Sequence, residues 1–406
     1  MQLPPLLSAM RRNKVGVILI SIQTALTLAI MCNGLFIIHG YAELTRRPSG
    51  VNEADTFAMT NAWVGHPADL AARLQTDLAM LRSLAGVVDA YATNAYPLTN
   101  NGVTDDIVLT KDQVSPTTQA AVYYADDHTI RTLGLKLIAG RNFSAADMVD
   151  YGGREEELPP VGVIITRDLA DKLFPGGGAL GRSIYTDSRD HGNPIIGIVD
   201  RLQMPIVIGS LRQINGNSFL APVRNIVPYS NYVVRAEPGR VNAVMQTAQR
   251  KLFEINRARV LVKVRTLAEA RIDVYRAQQG LEVTLGIVCS AMLLVTAFGI
   301  VGLTSYWVTQ RRRQIGIRRA LGATKSAIVA HFQTENLLIA AAGAVLGMSL
   351  AVTLNLWMVS NFEMKRLNMV YPLIGAVVVL VLGQLAALWP SLRAASVPPA
   401  LATRGV

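Results

Sequence analysis

The chain has 406 residues, 51% of them hydrophobic, with two cysteines and a formal net charge of +11. Residues 43–282 hold 26 basic and 26 acidic side chains; the remainder holds 13 basic side chains against two acids, Glu335 and Glu363. A basic excess confined to the flanks of apolar stretches is the pattern of membrane topology, which speaks against nucleic acid as a partner. Cys32 and Cys289 each lie inside an apolar stretch, so no disulfide framework is expected.

Residues 1–14 form a short cytoplasmic N-terminus containing Arg11, Arg12 and Lys14. Val15 to Ile38 follows as 24 residues without a charge. At 1.5 Å per residue this reaches about 36 Å, enough for a hydrocarbon core of about 30 Å. It is longer than the apolar core of a cleavable signal peptide, so 15–40 is expected to be a retained first span. The basic flank places the N-terminus in the cytoplasm.

Residues 41–280 have ordinary soluble composition and are expected on the far side of the membrane. Thr56–Trp63 reads as a strand, Pro67–Leu84 as a helix with Leu70, Leu74, Leu78 and Leu81 at helical spacing, and Val87–Tyr96 as a strand. The pattern returns at the other end, with Ser230–Ala236, the helix Pro238–Asn256, and Val260–Val264. Two such strand–helix–strand units are expected to pack side by side as an α+β sandwich. Residues 97–229 read as an inserted lobe. Within it, Val161–Ile165 is a strand, Thr166 an N-cap for the helix Arg167–Phe174, and Pro194–Val199 a buried strand.

The outer segment shows no catalytic constellation. His39, His66, His128 and His191 are scattered, with no two at metal-ligand spacing. Asp105-Asp106, Asp126-Asp127 and Glu155-Glu156-Glu157 read as solvated turns. Gly176 to Gly181 is glycine-rich, but no Lys-Ser/Thr follows it as a phosphate loop requires, and no Gly-x-Ser-x-Gly elbow occurs. Neither enzymatic activity nor a directly bound cofactor or metal is expected.

Three charge-free runs close the chain: Val283–Gln310, Asn336–Phe362 and Leu367–Leu392. They place spans at 281–308, 327–358 and 370–390, joined by a cytoplasmic loop at 309–326 and an outer loop at 359–369. Residues 391–406 form a cytoplasmic tail with Arg393 and Arg404. Lys365 and Arg366 on the outer loop are a mild exception to the charge rule. Thr266–Gly280 contains no proline, so a helix of about 60 Å from Leu267 to Val308 can join the outer domain rigidly to the membrane. Gly343 and Gly347 form a Gly-xxx-Gly pair suited to close helix packing. His331 and Glu335, at the inner end of the third span, are expected to snorkel to the interface. The fold class is therefore an integral membrane α+β protein: four transmembrane helices, with a large mixed α/β domain inserted between helices 1 and 2.

The loop at 309–326 is the most distinctive stretch. It contains Arg311, Arg312, Arg313, Arg318 and Arg319, and no acid occurs from Thr309 to Thr334. On a helix, Arg311, Arg312, Arg318 and Arg319 share one arc, with Ile317, Ala320 and Leu321 opposite; Arg313 and Ile315 break the pattern.

The run Arg312-Arg313-Gln314-Ile315-Gly316-Ile317-Arg318-Arg319-Ala320-Leu321-Gly322-Ala323-Thr324 resembles the cytoplasmic signature of the MacB/FtsX-type (type VII, mechanotransmission) ABC permeases. Leu133 to Phe143, Val163-Ile164-Ile165, Leu173 to Gly176, Leu180 to Ile184 and Ile196 to Asp200 are similar to a MacB-type periplasmic core domain. Pro390 to Leu401 resembles the family's closing motif. The resemblance implies that Arg312, Arg313, Ile315, Ile317, Arg318, Arg319 and Leu321 meet an ATPase. MacB carries its ATPase ahead of the first span; here the first span begins at Val15 and no Walker A sequence occurs, so ATP is expected to act through separate ABC ATPase subunits. The resemblance further implies a dimer with a copy or a paralogous permease, a possible periplasmic adaptor and outer-membrane channel, lipid contacts, and residence in the bacterial inner membrane with both termini cytoplasmic. It implies export of an antibiotic, peptide or similar substrate by mechanotransmission. Lipoprotein release, or regulation of a periplasmic hydrolase or sensor without transport, are the alternatives.

Overall fold

The structure is a computed structural model that describes residues 14–65, 67–153, 159–186, 191–206, 214–362 and 366–396. The N-terminal arm 1–13, His66, Glu155-Glu156-Glu157, Glu363, Lys365 and the tail from 397, with Arg404 and the end of the closing motif, lie outside the described residues. The chain divides into two compact units, Met1–Thr45 with Ala277–Val406, and Arg46–Arg276.

In chain order, α1 (Lys14–Thr45) leads to β1 (Thr56–Trp63), α2 (Leu70–Ser83), β2 (Val87–Thr93), β3 (Val103–Ile107), β4 (Thr118–Tyr124), α3 (Thr129–Leu133), β5 (Leu137–Gly140) and β6 (Val149–Tyr151). Then come β7 (Val163–Thr166), α4 (Arg167–Leu173), β8 (Ser183–Ile184), β9 (Asn193–Val199), β10 (Ser218–Ala221), β11 (Val223–Asn225), β12 (Tyr229–Ala236), α5 (Val241–Ile255) and β13 (Arg259–Thr266). The chain closes with α6 (Leu267–Gln310), α7 (Arg312–Ala320), α8 (Lys325–Phe362) and α9 (Val370–Ala395).

Among the described residues four helices, α1, α6, α8 and α9, are long and apolar enough to cross a membrane. Each runs past its expected span, because backbone hydrogen bonding continues where hydrophobicity stops. Proline does not stop α9, which passes through Pro390 to reach Ala395. In this unit α1 packs against α8 and α9. Gly343 and Gly347 face α1: a Cβ on Gly343 would lie 2.8 Å from Ser21 O, and one on Gly347 2.9 Å from Ala25 O and Leu28 Cβ. Backbone approaches this close replace the hydrophobic drive that lipid cannot supply. Side-chain hydrogen bonds add to them. Asn33 Nδ2 donates to Ala351 O at 3.1 Å, Thr27 and Thr296 hydroxyls meet at 2.8 Å, and Asn336 Nδ2 donates to Gly383 O at 2.9 Å.

The second unit holds two lobes. The first is a four-stranded antiparallel sheet in the order β13-β1-β12-β2, with α2 and α5 against one face. Strand alternation puts Phe57, Met59, Ala90, Tyr232 and Val234 on that face, where Leu74, Leu78, Leu81, Val244, Ala248 and Leu252 cover them. The two strand–helix–strand units do not lie side by side as expected. They interleave: β12 sits between β1 and β2, and β1 between β12 and β13. This split arrangement lets both helices share one core on one face. The edge strand β13 carries a bulge against β1, with Lys263 at φ +50°; a bulge of this kind kinks an exposed edge and discourages pairing with foreign strands.

The inserted lobe is a seven-stranded mixed sheet, β3-β4-β10-β7-β9-β5 with β8 against β9. Thr166 caps α4, its hydroxyl accepting from Leu169 N at 3.4 Å and donating to Gly216 O at 2.7 Å. Gly177, Gly178 and Gly181 all have positive φ in the turn between α4 and β8, which only glycine adopts freely. Two acidic clusters differ from the expectation of solvated turns. Asp105-Asp106 lies in the edge strand β3, where charge is tolerated. Asp126 sits between the lobes: it accepts from Arg82 Nη2 at 3.1 Å, beside the His128 Nδ1···Asp89 Oδ1 contact of 2.8 Å. Burial raises the Asp126 pKa above its ordinary value, against the pull of Arg82.

Candidate coupling site

The linker between the second and third spans is built by three local rules. Helix α6 ends at Gln310, Arg311 occupies the single break, and α7 starts at Arg312. At the other end Gly322 takes φ +96°, Gly322 N donates to Arg319 O at 3.1 Å, and Ala323 N donates to Arg318 O at 3.0 Å. These paired bonds are a Schellman cap, which requires the left-handed conformation that glycine supplies. Thr324 then caps α8, its hydroxyl accepting from Ala327 N at 3.2 Å. The sequence Leu321-Gly322-Ala323-Thr324 thus stops one helix and starts the next within four residues.

Ile315 anchors α7. It is 5% exposed and packs with Val308 of α6, Ile328 and Phe332 of α8, and Ala394 and Ala395 of α9. This corrects the expectation that Ile315 faces a partner: its side chain fills the chain's own core. With Ile315 and Gly316 turned inward, Ile317 is 45% and Leu321 83% exposed, while Arg312, Arg313 and Arg318 are also exposed and Arg319 is half-buried. Apolar and cationic groups therefore share the outward surface.

The sequence reading missed the ion pair beside this anchor. Arg311 Nη1 lies 3.1 Å from Glu335 Oε1 and 2.9 Å from Glu335 Oε2. The Glu335 side chain is 3% exposed, so it does not snorkel; it turns inward to Arg311. The available signal was that Glu335 is the first acid after an acid-free run holding five arginines. His331 sets its ring edge-on to Phe332 at 5.9 Å.

The outer unit contains a second group of contacts where α6 begins. Thr266 and Glu269 form a reciprocal cap, with Glu269 N donating to Thr266 Oγ1 at 3.1 Å and Thr266 N to Glu269 Oε2 at 2.8 Å. Arg271 grips Glu53 through Nε and Nη2, both at 2.6 Å. The Gln203 amide donates to Tyr275 OH at 2.9 Å, and Tyr123 OH donates to Gln203 O at 2.5 Å. The first turns of α6 thus contact the loop before β1 and, through Gln203, the inserted lobe. Among the described residues no cluster of three or more His, Cys, Asp or Glu could hold a metal ion.

Residues 24–268 match the family model described as the MacB-like periplasmic core domain, and residues 286–399 match the FtsX-like permease C-terminal model. The chain is an ABC transporter permease of the MacB/FtsX type. The permease is similar to the ABC transporter permease YvrN of Bacillus subtilis (strain 168), at 24% identity over 304 residues, which cover 70% of this chain and 69% of YvrN. It is also similar to the macrolide export ATP-binding/permease protein MacB of Azoarcus sp. (strain BH72), at 25% identity over 225 residues, which cover 52% of this chain and 32% of that one. The permease spans about a third of the length of this MacB relative. The crystal structure of the extracellular domain of the ABC-type transporter YknZ from Gram-positive bacteria superposes with a TM-score of 0.33 at 15% identity, covering 51% of this chain and all of that one. The permease is a membrane protein with a mixed α/β extracytoplasmic domain inserted after its first span.

Proposed function

We propose that the permease couples ATP hydrolysis by separate ABC ATPase subunits to motions of its extracytoplasmic domain, and that these motions export a substrate by mechanotransmission. The outward surface of α7 carries this reading. A helix anchored by Ile315 yet exposing Ile317 and Leu321 among arginines has unpartnered apolar area and positive charge to offer a second protein. Its first turn has no acid, so the positive end of the helix dipole adds to the field of Arg312 and Arg313 and favours a carboxylate-bearing partner. The uninterrupted α6 supports the transmission step, since one helix begins in the outer unit and ends at α7.

Magnitudes divide the work at that contact. Full burial of Ile or Leu contributes about 1.5–3 kcal/mol. Exposed ion pairs contribute about 0–1 kcal/mol each, so the arginines orient more than they grip. The basic flanks put α7 and both termini in the cytoplasm of an inner-membrane protein. The working unit is a dimer with a second permease, serving an adaptor and an outer-membrane channel. Replacing Ile317 and Leu321 together by Asp should abolish co-purification of the ATPase and ATP-dependent export while leaving membrane insertion intact. Retention of both activities in that variant would sink the assignment.

A further inference from the structure

Arg311 is the hinge residue of the linker. It lies between the last residue of α6 and the first of α7, its backbone N donating to Trp307 O at 3.0 Å and its carbonyl accepting from Ile315 N at 2.9 Å. Its backbone therefore continues the helical hydrogen bonding on both sides, although the path breaks there. Its side chain leaves that path to meet Glu335 on α8, 24 residues later. Glu335 is the more enclosed partner, at 3% exposure against 16% for Arg311. A carboxylate so enclosed is held in place by its counter-charge and has no route to water of its own. A guanidinium on a long stem at the hinge can turn outward when released.

The hydrophobic tie through Ile315 lies one helical turn further along α7. It holds the helix against the bundle but leaves rotation about that contact open, because apolar packing is non-directional. The ion pair is directional and sits at the pivot. Together they define a two-point mount: Ile315 fixes the distance and Arg311–Glu335 fixes the angle. The exposed residues follow from that angle, since Ile317 and Leu321 lie on the face opposite Ile315's socket.

We infer that Arg311 and Glu335 are positioning residues, whose ion pair sets the orientation in which α7 presents Ile317, Leu321 and the arginines to the ATPase, and so governs how much of an ATPase movement reaches α6. The inference deepens the proposed function and rests on it for the identity of the partner. The structure separates Arg311, paired internally with Glu335, from the exposed Arg312, Arg313 and Arg318.

The test uses the whole chain in lipid nanodiscs, as wild type, Arg311→Lys, Arg311→Gln and Glu335→Gln. Hydrogen exchange is followed across the chain, and stimulated hydrolysis is measured with the ATPase that co-purifies with the wild-type chain. Amide exchange in 312–322 should rise at least several-fold in Arg311→Gln and Glu335→Gln and stay near wild type in Arg311→Lys, with α1 and α9 unchanged. Stimulated turnover at saturating ATPase should fall at least five-fold in the two Gln variants, while the amount of ATPase bound changes less than two-fold. Unchanged exchange in 312–322, a rise spread over all four spans, or intact turnover despite local loosening would each overturn the inference. A wild-type chain that stimulates no ATPase would instead defeat the proposed function, and the exchange data would still decide whether the pair orients α7.

Discussion

Asp77 and Arg259 show how much a single pair can carry. Arg259 Nη1 and Nη2 meet the two carboxylate oxygens of Asp77 at 2.7 and 2.9 Å, both side chains are at most 1% exposed, and Tyr232 OH donates to the same carboxylate at 2.7 Å. Burial, then the nearby carboxylate, pushes the Tyr232 hydroxyl well above its ordinary pKa, so it stays a donor. Trp63 lies under the Arg259 guanidinium at 4.2 Å and is also met by Arg73 at 4.9 Å. Replacing Asp77 by Ala strands a buried guanidinium, a loss of about 3–5 kcal/mol. Replacing Arg73, whose partner Asp69 is exposed, should cost only about 1 kcal/mol. Chemical denaturation followed by Trp fluorescence would rank the two variants. Nothing in the sequence pairs Asp77 with Arg259, because the contact exists only once α2 crosses the sheet. The same holds for Arg311 and Glu335. By contrast, Thr166 was legible as a cap, since capping is local.

At the scale of elements, legibility tracked length and periodicity. The four spans and the six elements of the first lobe follow from long apolar runs or from clear helical and strand periods. The inserted lobe was half hidden. Strands such as β3, with two aspartates, and the three-residue β6 and β11 carry too few apolar residues to show a period, and the sheet order supplies the rest. Close packing in the membrane unit was visible as Gly343 and Gly347, but the partner helix was not. With α1 identified as that partner, a Leu at 347 must push α8 away from Ala25 and Leu28, an overpacking loss of about 1–3 kcal/mol. Gly347→Leu should lower the thermal aggregation midpoint of the detergent-solubilised chain, whereas Leu346→Val, at an exposed neighbour, should leave it unchanged. Equal midpoints would show that the α1–α8 approach is not limiting.

For the molecule as a whole, the decisive element is α6, a helix with residues in both units. At 44 residues it extends about 66 Å. A mechanical reading requires it to be unbroken. Gly280 lies within it, and a Cβ there meets nothing within 4 Å, so a proline can enter without a steric clash outside the helix. Proline still removes a backbone hydrogen bond and kinks a helix interior, a loss of about 3 kcal/mol. Gly280→Pro should leave membrane insertion and the protease resistance of residues 46–276 intact, yet abolish the ATP-driven export proposed above. Export at the wild-type rate would mean that force does not travel along this helix.

The interleaved first sheet also dictates when the outer domain can become a domain at all. β1 and β2 emerge early but do not pair with each other; each pairs with β12, and β1 also pairs with β13. Until Tyr229–Thr266 has crossed the membrane, Phe57 and Met59 have no sheet to join, and the early segment must wait unpaired while the intervening lobe folds. Such long-range pairing is slow and leaves apolar strands open to proteases and to one another. The strand that ends the wait, β13, runs straight into Thr266, whose cap with Glu269 starts α6. The first sheet is therefore completed only by residues that lead directly into α6.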